Sequence, residues 1–170
     1  EMAKFWVDFI NGHIPNFRKS PHDQIDNYVK GCWEMIVETA KWAENDLPGV
    51  LAKVKPDVVC VDNVILFPAI KRYAKDNKKP WVRIISCSEN EIEDPEIPPH
   101  LSGCGEKDKK GFARYRKRFN EVIKPIHDNF NAFLKSVGEK NYPIGQFFEA
   151  SPHMNILLYP SAVKFKRKHK

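Results

Sequence analysis

An α/β fold, a Rossmann-like parallel sheet with flanking helices, is predicted by three observations. Two short apolar runs, Asp57 to Val61 ("DVVCV") and Trp81 to Ser86 ("WVRIIS"), read as strands. Between them lie a helical segment, Leu66 to Lys75, and the turn-forming "DNKKP", so that the whole unit has the length of about 30 residues usual for a parallel crossover. Long segments on either side of this unit carry apolar residues at steps of three and four, the helical period. A chain of 170 residues suffices for one domain with a hydrophobic core and is too short for two large ones.

Taken in order, Glu1 to about Ile14 reads as a short amphipathic helix with Phe5, Trp6, Phe9 and Ile10 on one face, interrupted by Pro15. A long helix is predicted from about His22, its inner row being Ile25, Val29, Cys32, Ile36, Thr39 and Ala43, with Trp33 and Trp42 at its flanks. Ser20 marks its cap region. After "NDLPG" a separate helical piece, Val50 to Val54, runs up to Pro56. The near-continuous apolar strand Val58 to Val61 suits a sheet covered on both faces. Cys87 to Gly111, rich in proline and glycine, is a long loop of the kind that is usually functional or disordered. Phe112 to Val137 returns to helix, with Phe119, Val122 or Ile123, Ile126, Phe130, Phe133 and Leu134 inward, and Pro125 is expected to kink or split it. Asn155 to Tyr159 ("NILLY") is a third strand. Residues 1–54 thus form a helical region preceding the sheet core, 55–163 the core with its loop, long helix and closing strand, and 164–170 a basic tail or linker.

The net charge is +6, and it is unevenly spread. "KFKRKHK" at the end and "KDKKGFARYRKR" from Lys107 to Arg118 are basic, whereas "SENEIEDPE" from Ser88 to Glu96 holds five acids and no base. No aromatic-interleaved or groove-reading motif accompanies the basic clusters, so solvated faces are expected and no nucleic-acid partner. Cys32, Cys60, Cys87 and Cys104 show no C-x-x-C spacing and read as buried free thiols of a reducing, cytoplasmic compartment. The six histidines form no pair at ligand spacing, so no metal site is expected. Nothing resembles a signal peptide, and no apolar run approaches a membrane span. The chain opens on Glu1, in what already reads as helix, and is expected to be a piece of a longer protein.

Ligands of parallel sheets bind at the carboxyl ends of the strands. Two such ends are visible, Asp62-Asn63 and Ser86-Cys87-Ser88-Glu89; with neighbouring strands they open onto one rim, overhung by the acidic loop. A carboxylate placed like Asp62 more often caps the following helix, and on the residues alone both readings stay open. No G-x-S-x-G, P-loop or G-x-G-x-x-G occurs, so the residues by themselves point to a pocket rather than a reaction.

The order "KPDVVCVDNV…KPWVRIISCSENE…DPEIPPHLSGCG…NILLYPSAVKF" resembles the N-terminal half of family 1 UDP-glycosyltransferases, closest to their macrolide- and zeaxanthin-glycosyltransferase-like branch. The likeness covers about two thirds of the chain, from Lys55 onward, and "IPPHLSG" is its most specific part. It implies an incomplete N-terminal half of a GT-B fold, the acceptor-binding part of an enzyme that transfers a hexosyl group, with inversion, to a small lipophilic hydroxyl acceptor. Asp62 stands where the family has the aspartate that holds a catalytic histidine; none of the six histidines here, His13 of "NGHIPN" included, occupies that histidine's context. Asn63, Phe67, Ser86, Ser88, Glu89, Asn90, Ile97 and Leu101 are the implied acceptor contacts. UDP-sugar would be a co-substrate held by a C-terminal domain, with no other cofactor and no membrane partner, and the piece alone is expected to be inactive. An exposed sheet edge would invite a homodimer. A different class of reading is a non-enzymatic α/β binding module using the basic C-terminus on an anionic partner.

Overall fold

A computed structural model describes residues 2–62, 64–92, 94–160, 162, 164 and 165. It is an α/β structure built on a three-stranded parallel sheet in the order β1 (Val59–Asp62), β2 (Trp81–Ile85), β3 (Met154–Leu157). Val59 stands opposite Trp81 and Asp62 opposite Ile84; Val82 stands opposite Met154 and Ile85 opposite Leu157. The helices are α1 (Met2–His13), α2 (Lys30–Val54), α3 (Pro68–Asn77) and α4 (Lys109–Ser136). The crossover β1–α3–β2 is the unit expected from the two apolar runs and the helical segment between them.

The two faces of the sheet are unequally covered, and on the second face only the central strand is shielded, at the buried Val82 and half-buried Ile84. Val61, Trp81, Arg83 and Ile85 point to the helices and are buried, whereas Val58, Cys60, Met154, Ile156 and Leu158 are exposed. The expectation of a sheet covered on both faces is therefore corrected: apolar residues on both sides of a strand fix its hydrophobicity but not what packs on it. β1 and β3 are the two edges of the sheet. The cysteines are free, yet Cys60 and Cys87 are exposed and Cys32 and Cys104 half-buried, so the expectation of buried thiols also fails. Cys60 is apolar enough for a strand but falls on the less covered face.

α2 departs from its sequence reading in two ways. A π-helical turn, Ile25–Val29, in which the amide of Val29 bonds the carbonyl of Gln24, precedes it. Its wider turn shifts the phase of everything after it, so the buried residues are Val37, Ala40 and Leu51 rather than the row Cys32, Ile36, Thr39, Ala43. Trp33, one step after Val29 on the new row, faces inward and stacks on Phe147 at 4.0 Å. The helix also continues through Pro48 and Gly49 to Val54 instead of restarting after them, both residues being exposed, so the one backbone bond a proline removes is lost on the solvent side. α4 likewise runs unbroken through the exposed Pro125, where a kink or a split was expected, so the split does not occur. Its inner row, Phe112, Tyr115, Ile123, Ile126, Phe130 and Leu134, selects Ile123 over Val122. The carboxylate of Asp108 caps its start by accepting from the amide of Gly111 at 2.8 Å.

Two apolar clusters form the core. Val37 and Ala40 of α2 meet Ile65, Leu66, Phe147 and the α4 row, while Leu51 meets Val61, α3, Trp81 and Phe148. Among the described residues no helix is long and apolar enough to cross a membrane.

Candidate functional site: a cavity beside the strand ends

The site is built by three stretches that converge at the carboxyl end of the sheet: the loop after β2, the first half of α4, and residues 143–150. The loop is fixed, not slack. Ser88 and Glu91 form a capping box around the short turn Glu89–Glu91: Ser88 Oγ accepts from the amide of Asn90, and Glu91 Oε1 accepts from the amide of Ser88 at 2.8 Å. Asn90 Nδ2 donates to the carbonyl of Pro98 at 2.7 Å, and the Arg116 guanidinium of α4 donates to the carbonyls of Asp94 and Ile97 at 2.8 and 3.1 Å. The buried Ile97 seats the "EIPPH" turn beneath these bonds. Residues 143–150 return beneath the loop, held by the Leu66 amide on the carbonyl of Phe147 at 2.9 Å. Gly145 makes that path possible, for its φ is +85° and a Cβ there would stand 2.7 Å from Asn120 Oδ1.

These stretches enclose a cavity of about 460 Å³. Trp33, Leu101, Phe119, Ile144 and Phe147 give it an apolar body, the usual character of a small-molecule site. Its polar groups are few and unusual. Arg83, midway along β2, is only 3% exposed, and its guanidinium lies 4.2 Å from the centre of the Phe148 ring. Its Nε has no hydrogen-bond partner; neither has His100 Nδ1 nor Tyr115 Oη, and all three residues line this one cavity. Buried polar atoms are nearly always paired, so three orphans around one space mark it as polar where its walls are otherwise apolar. Burial lowers the Arg83 pKa, with the Glu91 carboxylate pulling the other way. Glu91 is raised, by burial first and by the charge of Asp62 among the lesser causes, while the Ser88 amide and Arg83 oppose the rise. Burial alone pushes His100 down, which keeps its imidazole neutral.

The expected site residues divide into groups. Asp62 and Ser86 meet at the strand ends, where Ser86 Oγ donates to Asp62 Oδ1 at 2.7 Å, and Tyr159 Oη donates to the carbonyl of Ser86 at 2.8 Å. Asn90 and Leu101 line the cavity. Ser88 is spent on the capping box and Ile97 on packing beneath the loop, while Glu89, buried, accepts from the amide of Phe165 at 2.9 Å. Phe67, half-buried, packs against both core clusters. Asn63 lies outside the described residues, as do Lys166, Arg167, Lys168 and Lys170 of the basic tail.

Sequence reasoning missed Arg83, Tyr115 and the wall from residues 143–150; His100 lies inside the loop stretch between Ile97 and Leu101 but was not singled out. One signal was available: Arg83 is a lone charge inside the apolar strand "WVRIIS", and charged residues are seldom fully buried without a purpose. Among the described residues no group of three or more His, Cys, Asp or Glu side chains is placed to hold a metal ion. Comparison with known protein families and with curated proteins finds no match to this chain.

Proposed function

We propose that the chain is the acceptor-holding part of a UDP-sugar-dependent glycosyltransferase, the N-terminal half of a GT-B fold. The observation that carries this reading is a preformed, mostly apolar cavity under the loop that follows β2, whose wall residue Glu91 feels the charge of the exposed Asp62 at the end of β1, outside the lining itself. The likeness of "VCVD", "WVRIIS" and "IPPHLSG" to the family supports it.

In this mechanism a lipophilic acceptor occupies the cavity and presents its hydroxyl at the strand-end rim. Ser86 occupies Asp62 Oδ1, and Oδ2 takes no hydrogen bond from the described residues. Oδ2 accepts the Nδ1–H of a histidine from outside this chain, fixing the tautomer whose Nε2 removes the acceptor's hydroxyl proton. The acceptor oxygen forms its bond to the anomeric carbon as the bond from that carbon to the UDP oxygen breaks. UDP leaves with the electron pair, and the configuration inverts.

Asp62→Asn in the full-length protein is expected to lower kcat by about 10²- to 10⁴-fold with the thermal unfolding curve unchanged. Ser86→Ala, which removes only the bond to Oδ1, is expected to cost less. Assay of UDP-glucose consumption with a phenolic acceptor reads both, and wild-type turnover in Asp62→Asn would overturn the assignment of Asp62.

A further inference from the structure

We infer that the cavity takes a lipophilic monocarboxylate, with Arg83 as the anchor for the ligand's carboxylate. The inference rests on reading this cavity as the acceptor pocket, and it names the class of acceptor. Its starting point is a charge without a partner. Arg83 is almost wholly buried, lines the cavity, and makes no hydrogen bond or ion pair through its side chain with the described residues; its guanidinium lies over the Phe148 ring. A buried cation in that state is costly, and an anion bound against it would regain what burial has taken.

The kind of anion follows from the other groups. Arg83 Nε–H and Tyr115 O–H are donors, and His100 Nδ1 is a donor in one of its two neutral tautomers, so the unmet hydrogen-bonding capacity of the cavity is mainly donor capacity. A carboxylate is acceptor-only, with two oxygens able to meet the planar guanidinium fork. Size of charge is limited from the other side. Glu91 lines the same cavity and its field reaches Arg83, so a dianionic phosphate would meet a carboxylate as well as the guanidinium. Arg116 directs its guanidinium to the loop carbonyls of Asp94 and Ile97, and Glu149 is bound by Lys71 at 2.7 Å. Neither changes the balance at Arg83. The rest of the ligand is apolar because the remaining wall is Trp33, Phe119, Ile144 and Phe147.

Titration calorimetry on the 170-residue chain tests this with two probes of the same skeleton, 2-naphthylacetic acid and 2-(2-naphthyl)ethanol. The acid is expected to bind at least about tenfold more tightly than the alcohol, the preference of one charge-assisted pair. Arg83→Met, which keeps the bulk of the side chain, is expected to bring the acid down to the alcohol's affinity and leave the alcohol unchanged. Glu91→Gln, which preserves the capping box, is expected to tighten the acid several-fold and not the alcohol. This second variant decides the matter if Arg83→Met does not fold. Equal affinities for the two probes in the wild-type chain, or an acid affinity indifferent to both substitutions, would overturn the monocarboxylate inference and leave the acceptor-pocket reading standing. Binding of neither probe would overturn both.

Discussion

His127 on α4 is buried, and its two ring nitrogens have different jobs. Nε2 donates to the carbonyl of Gln146 at 3.0 Å, which leaves Nδ1 to accept from Asn131 Nδ2 at 3.3 Å, and the ring meets the edge of Phe147. The same Asn131 donates to the carbonyl of Tyr142 and accepts from its amide, so the histidine secures the chain that walls the cavity. Burial lowers the His127 pKa more than the Gln146 carbonyl raises it, and burial lowers that of His100 as well. A histidine depressed in the folded state binds fewer protons there than in the unfolded chain, so stability rises with pH through its titration and falls as pH drops below about 6.5. Glu91, raised by burial, acts with the opposite sign, favouring the folded state when it is protonated. The melting temperature measured in a Glu91→Gln background is therefore expected to fall steadily from pH 7 to pH 5.5. His127→Gln should flatten that slope, and an unchanged slope would locate the proton uptake elsewhere.

The loop after β2 gains its shape from the few bonds of one short turn. Removing the Ser88 hydroxyl takes away the acceptor for the Asn90 amide and the donor to Asn90 Oδ1, at 3.2 and 3.0 Å. Ser88→Ala is expected to cost about 1 kcal/mol, and hydrogen exchange should speed up in residues 89–92 while the α4 amides keep their protection. Uniform acceleration across the chain would mean that the turn is not a local unit. Elements of this kind show why some features were legible beforehand and others were not. The β1–α3–β2 crossover and the inner row of α4 follow from periodicity, because each residue's face is set by its own neighbours in sequence. The inner row of α2 did not, since the π-helical turn at Ile25–Val29 displaces the phase by an amount that no spacing of apolar residues records. The strand-end positions of Asp62 and Ser86 were legible because a strand end announces itself by polarity; the bonds of Ser88 and Glu89 and the burial of Ile97 were not, since a polar or apolar loop residue does not reveal whether it faces a cavity or holds the loop. Arg83 was visible as an anomaly, and His100 and Tyr115 acquire meaning only through the cavity they share.

The whole molecule is held as one unit by residues that belong to both halves of its core. α2 supplies Val37 and Ala40 to the cluster with α4, then Leu51 to the cluster with the sheet. Phe147 and Phe148, adjacent in sequence, enter one cluster each, and Phe67 packs on both. Salt bridges cross the same boundary: Lys71 of α3 reaches Glu139 and Glu149 at 2.8 and 2.7 Å, and Arg72 of α3 pairs with Glu44 of α2, whose other oxygen accepts from the Ala69 amide at the start of α3. Damage to one cluster should therefore unfold the other. Phe130, fully buried and a member of the α4 cluster but not of the sheet cluster, is the test position. Phe130→Ala is expected to lower the unfolding free energy by about 3–5 kcal/mol, a large share of the roughly 5–15 kcal/mol typical of a domain. Trp33 reports on the α4 cluster and Trp81 on the sheet cluster, so versions that keep one of these and replace the other three tryptophans by Phe can follow each side separately. Both reporters are expected to shift to the same lower denaturant midpoint in Phe130→Ala, as cooperative unfolding requires. A shift confined to Trp33, with Trp81 retaining its original midpoint, would show that the sheet and the α4 layer are separable and that the cavity lies between two independently folding parts.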